Sequence, residues 1–290
     1  MYRDLNQQTQ KDLKEYFQNQ DYMVIAVPKE DLIRVYALRA TNTVETARRL
    51  HSLEGEELKL MAYSILSALL LTSLVKHATN QKVLFKIQND SGVVVAEADG
   101  MGRVRGFVEG YPLEDWFSGT LTVVKELRLG TPYTSIVPVV GRNVKEALSY
   151  YFEQSEQTRT YIDMYVKTDG ERVQEALAYL VQVLGGAREE SVRKIEENIK
   201  SLSLEGLRPE DIAMAILRDM EPRLIGLKEV EYYCPCSEEI ARSSLLLLSE
   251  EELEDILNEG PAEVVFDGER FGEYIEVKSG LRPGQRVVLP

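Results

Sequence analysis

The chain has 290 residues, of which 44% are hydrophobic and 28% are charged, and its formal net charge at pH 7 is −14. This composition is typical of a globular protein, and the length suits one large domain with one or two smaller ones. The negative charge repels phosphate backbones, and no local cluster of lysine and arginine compensates for it, so we expect no nucleic-acid partner. Residues 1–18 contain no basic segment followed by an apolar stretch, so we expect a cytoplasmic protein without a secretory signal.

The first part of the chain predicts alternating strands and helices. Two β-rich runs at residues 22–27 and 32–37 are separated by Pro28-Lys29-Glu30-Asp31, which predicts a hairpin. A helical stretch follows from about Val44 to Lys76, with its break at Gly55. Both patterns are typical of an α+β domain.

Residues 60–75 form the most apolar stretch of the sequence. They include Ser64, Ser67, Thr72 and Ser73. A helix that crosses a bilayer needs roughly 20 mostly apolar residues. We therefore predict a buried helix and no membrane partner.

Short β-rich runs with glycine, asparagine and aspartate between them predict an antiparallel meander. These runs lie at residues 83–87, 93–96, 104–108 and 121–124. A strand at 133–139 and a helix at 144–152 come next. The last two predicted strands are 161–166 and 176–184, and the second of these is also compatible with a helix. Gly185-Gly186 marks a boundary, so we assign residues 1–186 to an N-terminal domain.

Residues 187–229 are interpreted as a helical linker. The sequence is charged and helical from Glu189 to about Leu217, with Ile195, Ile199 and Leu202 on one stripe. Pro209 suits the first turn of a second helix. We expect the apolar stripe of this linker to be exposed or partly docked.

Residues 230–290 are interpreted as a small C-terminal α+β domain. Its predicted elements are helices at 238–248 and 250–257, strands at 264–266 and 274–277, and a Pro283-Gly284 turn before 287–289.

The two cysteines of the chain lie in one tripeptide, Cys234-Pro235-Cys236. A four-thiolate zinc site needs two such pairs, and the sequence contains one. Cys234 and Cys236 are therefore candidate ligands of an incomplete metal site or candidate redox thiols. A vestige of a lost zinc site is the alternative reading of the same pair. A disulfide across this tripeptide would be tight and easily reduced.

The remaining motifs carry no chemistry that we can assign. The glycine-rich segment 100–106 lies between strands, so its glycines are expected in turns and not around a phosphate. His51 and His77 stand far apart without a histidine pair or a nearby cysteine, which argues against metal or catalytic roles. Ser155 has no recognisable base, and we propose no catalytic residues. Glu153, Glu156 and Gln157 are expected to fasten a helix end.

Several strings in matching order, spanning about residues 20–258, resemble the redox-regulated thirty-three-kilodalton heat-shock chaperone family, a bacterial holdase. The most specific string is Tyr151-Phe152-Glu153-Gln154-Ser155-Glu156-Gln157-Thr158. The others are Arg105-Gly106-Phe107-Val108, Gly119-Thr120-Leu121-Thr122-Val123, Thr131-Pro132-Tyr133, Val181-Gln182-Val183-Leu184 and Cys234-Pro235-Cys236.

This resemblance implies an N-terminal α+β domain, a helical linker, a small C-terminal zinc domain, and a homodimer that binds unfolding client proteins under stress. It also implies that thiolates hold zinc when reduced and form disulfides on oxidation. Only Cys234 and Cys236 match that motif. Where the family's second pair is expected, the chain reads Ala262-Glu263-Val264-Val265-Phe266-Asp267-Gly268-Glu269. The implied zinc site is therefore degenerate, and zinc is at most a weakly held cofactor.

Three functions follow from the sequence. The first is an ATP-independent holdase that captures unfolding proteins on apolar surface and has no catalytic activity. The second is a thiol-disulfide exchange enzyme that uses Cys234 and Cys236. The third is an adaptor for one defined partner.

Overall fold

The computed structural model describes residues 20–110, 118–127, 130–170, 172–234 and 248–249, together with a short strand pair near the C-terminus. The helices are α1 Thr41–His51, α2 Gly55–Leu71, α3 Val144–Ser155, α4 Glu189–Lys200 and α5 Pro209–Ile216, and a 3-10 turn at Thr72–Leu74 follows α2. The strands are β1 Tyr22–Val27, β2 Ile33–Arg39, β3 Lys82–Asn89, β4 Gly92–Asp99, β5 Arg103–Glu109, β6 Thr120–Glu126, β7 Tyr133–Pro138, β8 Arg159–Thr168, β9 Val173–Val183, β10 Arg223–Glu229, β11 Glu231–Tyr232, β12 Arg270–Phe271 and β13 Tyr274–Ile275.

The predicted α+β class is confirmed. The C-terminal helices predicted at 238–248 and 250–257, apart from residue 248, the strand at 264–266 and the final turn lie outside the described residues. The strand predicted at 274–277 is present as β13, which pairs with β12.

One sheet has five antiparallel strands in the order β10-β1-β2-β9-β8. The predicted hairpin is confirmed, because β1 pairs with β2 from Tyr22 opposite Arg39 to Ala26 opposite Val35. The segment predicted at 176–184, which was also compatible with a helix, is strand β9. It lies between β2 and β8.

The second sheet has six strands in the order β11-β5-β4-β3-β6-β7. Strands β3, β4 and β5 form the predicted meander, but β6 pairs with β3 instead of β5. The prediction of a single meander is therefore wrong for β6. The physical reason is the length of the connection between β5 and β6. Residues 110–119 are long enough to pass β4 and β3, so β6 reaches the far edge of the meander and pairs with β3 there. The edge at β5 is occupied by β11, which runs parallel to it.

Helix α2 lies between the two sheets and contacts strands of both. From Leu60 onwards it is apolar on nearly all sides, as expected of a buried helix. Together with the turn that follows, it is long and apolar enough by composition to pass as a membrane span. Most of its side chains are nevertheless buried in the fold. Its hydroxyl groups bond within the helix, since Ser64 donates to the carbonyl of Leu60 and Ser67 to that of Tyr63. The prediction of a buried helix is confirmed.

The five-stranded sheet separates two hydrophobic cores. Alternate residues of its strands face α2: Met23, Tyr36, Leu38, Ala176, Ala178 and Leu180 belong to that inner core. The residues between them belong to the other core, on the opposite side of the sheet. Because both faces are buried, the central strands are apolar at nearly every position, unlike strands with one wet face.

The predicted linker, residues 187–229, covers that second face. Its helices α4 and α5 are as expected, and Pro209 occupies the first turn of α5. Residues 223–229, however, are strand β10 and not helix, because they find an open partner at the edge of β1. The apolar stripe is docked, with Ile195 fully buried and Ile199 and Leu202 packed against the same core.

The family-like string at 151–158 forms the end of α3 and its attachment to the six-stranded sheet. The Tyr151 hydroxyl donates to Oε1 of Glu156 at 2.6 Å, and Nζ of Lys125 on β6 contacts the same oxygen at 2.7 Å. The chain then turns at Gln157, whose φ is 49°, and the amide of Thr158 donates to the carbonyl of Phe152. The expectation that Glu156 fastens a helix end is confirmed.

Replacement Glu156→Ala is expected to lower the free energy of unfolding by about 2 kcal/mol, because it leaves the Tyr151 hydroxyl and the Lys125 ammonium without their shared acceptor. Both charged side chains are 15% exposed, so solvent replaces the lost contacts poorly. Urea denaturation of the two proteins measures the difference. The matched control is Glu153→Ala on the exposed side of the same helix, and an equal loss in both variants would contradict the role of Glu156.

Candidate functional site

The second face of the five-stranded sheet is an apolar surface covered by the segment that follows β9. We call the sheet residues the outer face: Tyr22, Val24, Ala26, Ile33, Val35, Ala37, Leu177, Tyr179 and Val181. We call the residues packed on them the cover: Ile195, Leu204, Ile212, Ala213, Ile216 and Leu217. Every residue in both sets is buried.

The cover forms because α5 is amphipathic. Ile212 and Ile216 are one turn apart and both fully buried, whereas Met214 points away and is 36% exposed. Pro209 stabilises the first turn of α5 because its ring fixes the φ angle near the helical value. Glu210 lies in the same turn, where the positive end of the helix dipole stabilises a negative charge.

Polar contacts surround the apolar centre. The Tyr22 hydroxyl donates to Glu210 at 2.6 Å, and burial, reinforced by this carboxylate, raises the pKa of Tyr22 so that it remains a neutral donor. The Tyr161 hydroxyl donates to Glu196 of α4 at 2.6 Å. Further ion pairs join Arg159 to Glu196, Lys167 to Glu205, Arg188 to Asp31 and Lys29 to Glu221.

An ion pair between Asp31 and Arg188 lies at the N-terminal end of α4. Burial alone would raise the pKa of Asp31, but hydrogen bonds from Ser191, Arg188 and the Leu32 amide outweigh burial and lower that pKa to about 2. Asp31 is therefore charged at neutral pH and attracts the Arg188 guanidinium, whose Nε lies 3.0 Å from Oδ2.

Most of the free energy that holds the cover on the outer face comes from buried apolar side chains. A fully buried isoleucine or leucine contributes about 2 kcal/mol, and Ile195, Ile212, Ile216 and Leu217 are all at 0% exposure. The ion pairs of Lys29 with Glu221 and of Lys167 with Glu205 are exposed, and exposed pairs contribute little. The cover is thus held mainly by the kind of surface that an unfolding protein also presents.

The thiol segment is attached to the six-stranded sheet through β11. The Glu231 amide donates to the Gly102 carbonyl at 3.1 Å, and the Tyr233 amide donates to the Val104 carbonyl at 2.9 Å. The guanidinium of Arg103 lies 4.6 Å from the ring centre of Tyr233. Cys234 follows immediately and is disulfide-bonded, whereas Cys236 lies outside the described residues.

Tyr232 supplies the most specific contact of this attachment. Its hydroxyl donates to the Gly106 carbonyl at 3.0 Å and accepts from the Gly106 amide at 3.4 Å. Nε2 of His51, at the end of α1, is 2.8 Å from the same oxygen and completes its coordination as a donor. Burial raises the pKa of Tyr232 to about 12, so the hydroxyl stays protonated.

The glycine-rich segment 100–106 is a turn in its first part, as predicted for Gly100 and Gly102, but Gly106 lies within strand β5 opposite Ala96, so the prediction of a turn is wrong for that glycine. Gly100 and Gly102 lie between β4 and β5, and Gly102 has a φ of 101°. A Cβ atom at Gly102 would lie 2.0 Å from the Glu229 carbonyl oxygen. This glycine therefore allows β10 to approach the turn closely.

Of the two predicted metal and redox residues, Cys234 is described and Cys236 is not. The two histidines, for which no such role was expected, lie elsewhere: His51 bonds to Tyr232, and His77 lies in an exposed turn. Within the described ranges, no group of three histidine, cysteine, aspartate or glutamate side chains is placed to hold a metal ion. The redox and metal roles of Cys234 and Cys236 stay predictions.

Comparison with known proteins assigns the chain to a family. The sequence profile of the Hsp33 protein family matches residues 21–267. This chain belongs to the Hsp33 family. The 33 kDa chaperonin of Aquifex aeolicus (strain VF5) is 51% identical over 283 residues, which is 89% of this chain and 87% of that protein. The 33 kDa chaperonin of Clostridioides difficile (strain 630) is 30% identical over 261 residues, covering 82% of this chain and 89% of that one.

A solved member of the Hsp33 family has the same fold. The crystal structure of the 33 kDa chaperonin from Thermotoga maritima superimposes with a TM-score of 0.73 at 29% sequence identity, covering 85% of this chain and 91% of that one. The predicted resemblance is therefore confirmed, and a chaperone function is supported.

The sequence did not reveal which surface of this Hsp33-family chain the linker covers. A signal was present in residues 22–26 and 177–181, where every position is apolar. A strand with one face in water alternates apolar and polar residues, so unbroken apolar runs indicate a second buried face.

The reduced chain is expected to bind less than one zinc ion per monomer, because two thiolates do not complete a tetrahedral structural site. Elemental analysis of protein purified under reducing conditions, with the variant Cys234→Ser/Cys236→Ser as control, measures this. One tightly held zinc per wild-type chain that the variant lacks would contradict the expectation and would require ligands from elsewhere.

Proposed function

We propose that this Hsp33-family chain is an ATP-independent holdase that captures unfolding proteins on the outer face after the cover has moved away. The observation that carries the proposal is the second core, which consists of a sheet face on one side and a single continuous segment, the cover, on the other. Undocking of that segment exposes apolar surface without disturbing the inner core around α2.

The chemistry of capture is then apolar burial. Apolar surface removed from water contributes about 25 cal/mol per Å², whatever its sequence. A client segment competes with the cover for the same residues, so the free energy of docking sets the threshold for capture. Because burial is non-directional, this mechanism needs no catalytic group and no nucleotide.

The family resemblance supports our proposals for the domain roles, the cellular compartment, the oligomeric state and the cysteine pair. We assign residues 1–186 to client binding and dimerisation, 187–229 to the linker and 230–290 to a regulatory domain. We propose that the protein works in the cytoplasm as a homodimer during heat or oxidative stress. Cys234 and Cys236 then act as a redox pair without a complete zinc site.

The variant Ile212→Asp is expected to capture clients without any stress, because a carboxylate in the apolar centre of the cover is costly to bury. We expect the variant at 25 °C to suppress the light scattering of a chemically denatured client, whereas the wild type does not. The matched control is Met214→Asp, which introduces the same residue on the exposed side of the same helix.

Limited proteolysis of α4 and α5 shows whether the cover has opened in each variant, and circular dichroism shows whether the sheets remain folded. If the cover of Ile212→Asp is open, the sheets are folded and the client still aggregates, the outer face is not the capture surface.

Mild heating is expected to activate the wild type more than peroxide does. A single cysteine pair offers no loss of a structural zinc ion to unfold a metal-held domain, whereas thermal undocking of the cover remains available. The measurement is client light scattering after each treatment, in the wild type and in Cys234→Ser/Cys236→Ser.

Full activation by peroxide at low temperature, absent from the double serine variant, would show instead that the thiols are the switch. An insulin-reduction assay on the same two proteins tests the thiol-disulfide exchange alternative, for which we expect no cysteine-dependent activity.

A further inference from the structure

The segment between the cover and the thiols joins the edges of both sheets. We call residues 223–234 the strap. Its first part, β10, pairs with β1 at the edge of the five-stranded sheet, with a register irregularity at Ile25 and Ala26. Its second part, β11, pairs with β5 in the other sheet, and between them the Val230 amide donates to the Asp21 carbonyl at 2.9 Å.

Strand β10 contributes little apolar burial to its sheet. Leu224 and Leu227 are 43% and 39% exposed. The buried side chain of β10 is instead that of Lys228, a residue that is almost never fully buried without a partner charge.

In the described part of the chain, Lys228 contacts a hydroxyl group and forms no ion pair. Its Nζ donates to Oγ1 of Thr72 at 2.6 Å, and that hydroxyl donates onward to the Leu69 carbonyl. Among the described residues, no carboxylate forms an ion pair with this ammonium.

Two other titratable groups influence Lys228 through space. Asp99 attracts the ammonium, but its Oδ1 already accepts from the amides of Met101 and Arg103. His77 lies in the exposed turn that follows Thr72–Leu74, and partial burial of its ring and the charge of Lys228 both lower its pKa. On β1, the residue opposite Lys228 is the apolar Met23.

We propose that Lys228 is a built-in release element, whose buried and unpaired charge makes the strap detach from both sheets before either sheet unfolds. An ammonium that has exchanged water for one hydroxyl opposes docking, whereas the contacts of Tyr232 favour it. The buried charge of Lys228 therefore destabilises the docked strap, and the hydrogen bonds of Tyr232 stabilise it. Its role in uncovering the outer face rests on the proposed function.

The pH dependence of release has a definite sign. Burial lowers the pKa of Lys228 from its ordinary value to about 8. The docked strap therefore holds its proton less tightly than the released strap, so docking gains stability as the pH rises from about 8 towards 10.5. Release is easiest at and below neutral pH.

Hydrogen–deuterium exchange of residues 223–234 in the full chain tests this proposal, with β3 and β4 as the reference for global unfolding. At pH 7, Lys228→Met should slow exchange in the strap at least about tenfold, because an apolar side chain of similar length removes the buried charge. The matched control Arg223→Met removes an exposed positive charge from the same strand and should exchange as the wild type does. Tyr232→Phe should exchange faster in the strap alone.

The wild type also provides a test without substitution. After correction for intrinsic rates, opening of the strap should decrease at least about tenfold from pH 7 to pH 9.5, and Lys228→Met should not show this decrease. If the strap of the wild type opens only together with β3 and β4 at both pH values, or if Lys228→Met opens as readily as the wild type, the proposal is wrong.

A client assay on the same variants separates this proposal from the holdase. If exchange follows the expectation and Lys228→Met also needs a higher temperature to suppress client aggregation, release of the strap gates capture. If exchange follows the expectation but no variant changes client aggregation, the release element stands and the proposed capture surface fails.

Discussion

The packing of one sheet between two cores is the constraint on which the rest of the structure depends. Strands β1, β2 and β9 are apolar at nearly every position, so the five-stranded sheet must be covered on both sides to remain in water. The inner side is covered by α2, which is enclosed between the sheets. The outer side is covered by a later segment that packs on it mainly through apolar contacts.

The structure links this cover to the thiols by a short path. Helix α5 leads into β10, β10 leads into β11, and β11 ends two residues before Cys234. The same path crosses the turn at Gly102, where the absence of a side chain allows close contact with Glu229. Only two consecutive strands, β10 and β11, therefore separate Cys234 from the cover, and each of them lies at the edge of a different sheet.

Local patterns predicted the local parts of the fold. The hairpin of β1 and β2, the buried helix α2 and the turn at Gly100 and Gly102 depend on neighbours in sequence, and all three were predicted. The role of Glu156 at the helix end was predicted too, although only its partner Tyr151 is near in sequence and Lys125 comes from β6. The placement of β6 beside β3 and of β10 beside β1 depends on partners far along the chain, and residue type alone does not choose between open sheet edges. Lys228 shows the same limit, since a lysine in Arg223–Glu229 looks solvent-facing until Thr72 and the Gly102 turn are brought against it.

Two strand edges are closed by the strap. Strand β10 covers the edge of β1, and β11 covers part of the edge of β5. When both leave, the backbone amides and carbonyls of those edges lose their partners, and an open edge pairs readily with any extended chain. Unfolding proteins share no common sequence, but every one of them has a main chain. In the proposed released state, the molecule thus offers two kinds of attachment that ignore sequence, an apolar face for side chains and unpaired strand edges for a main chain.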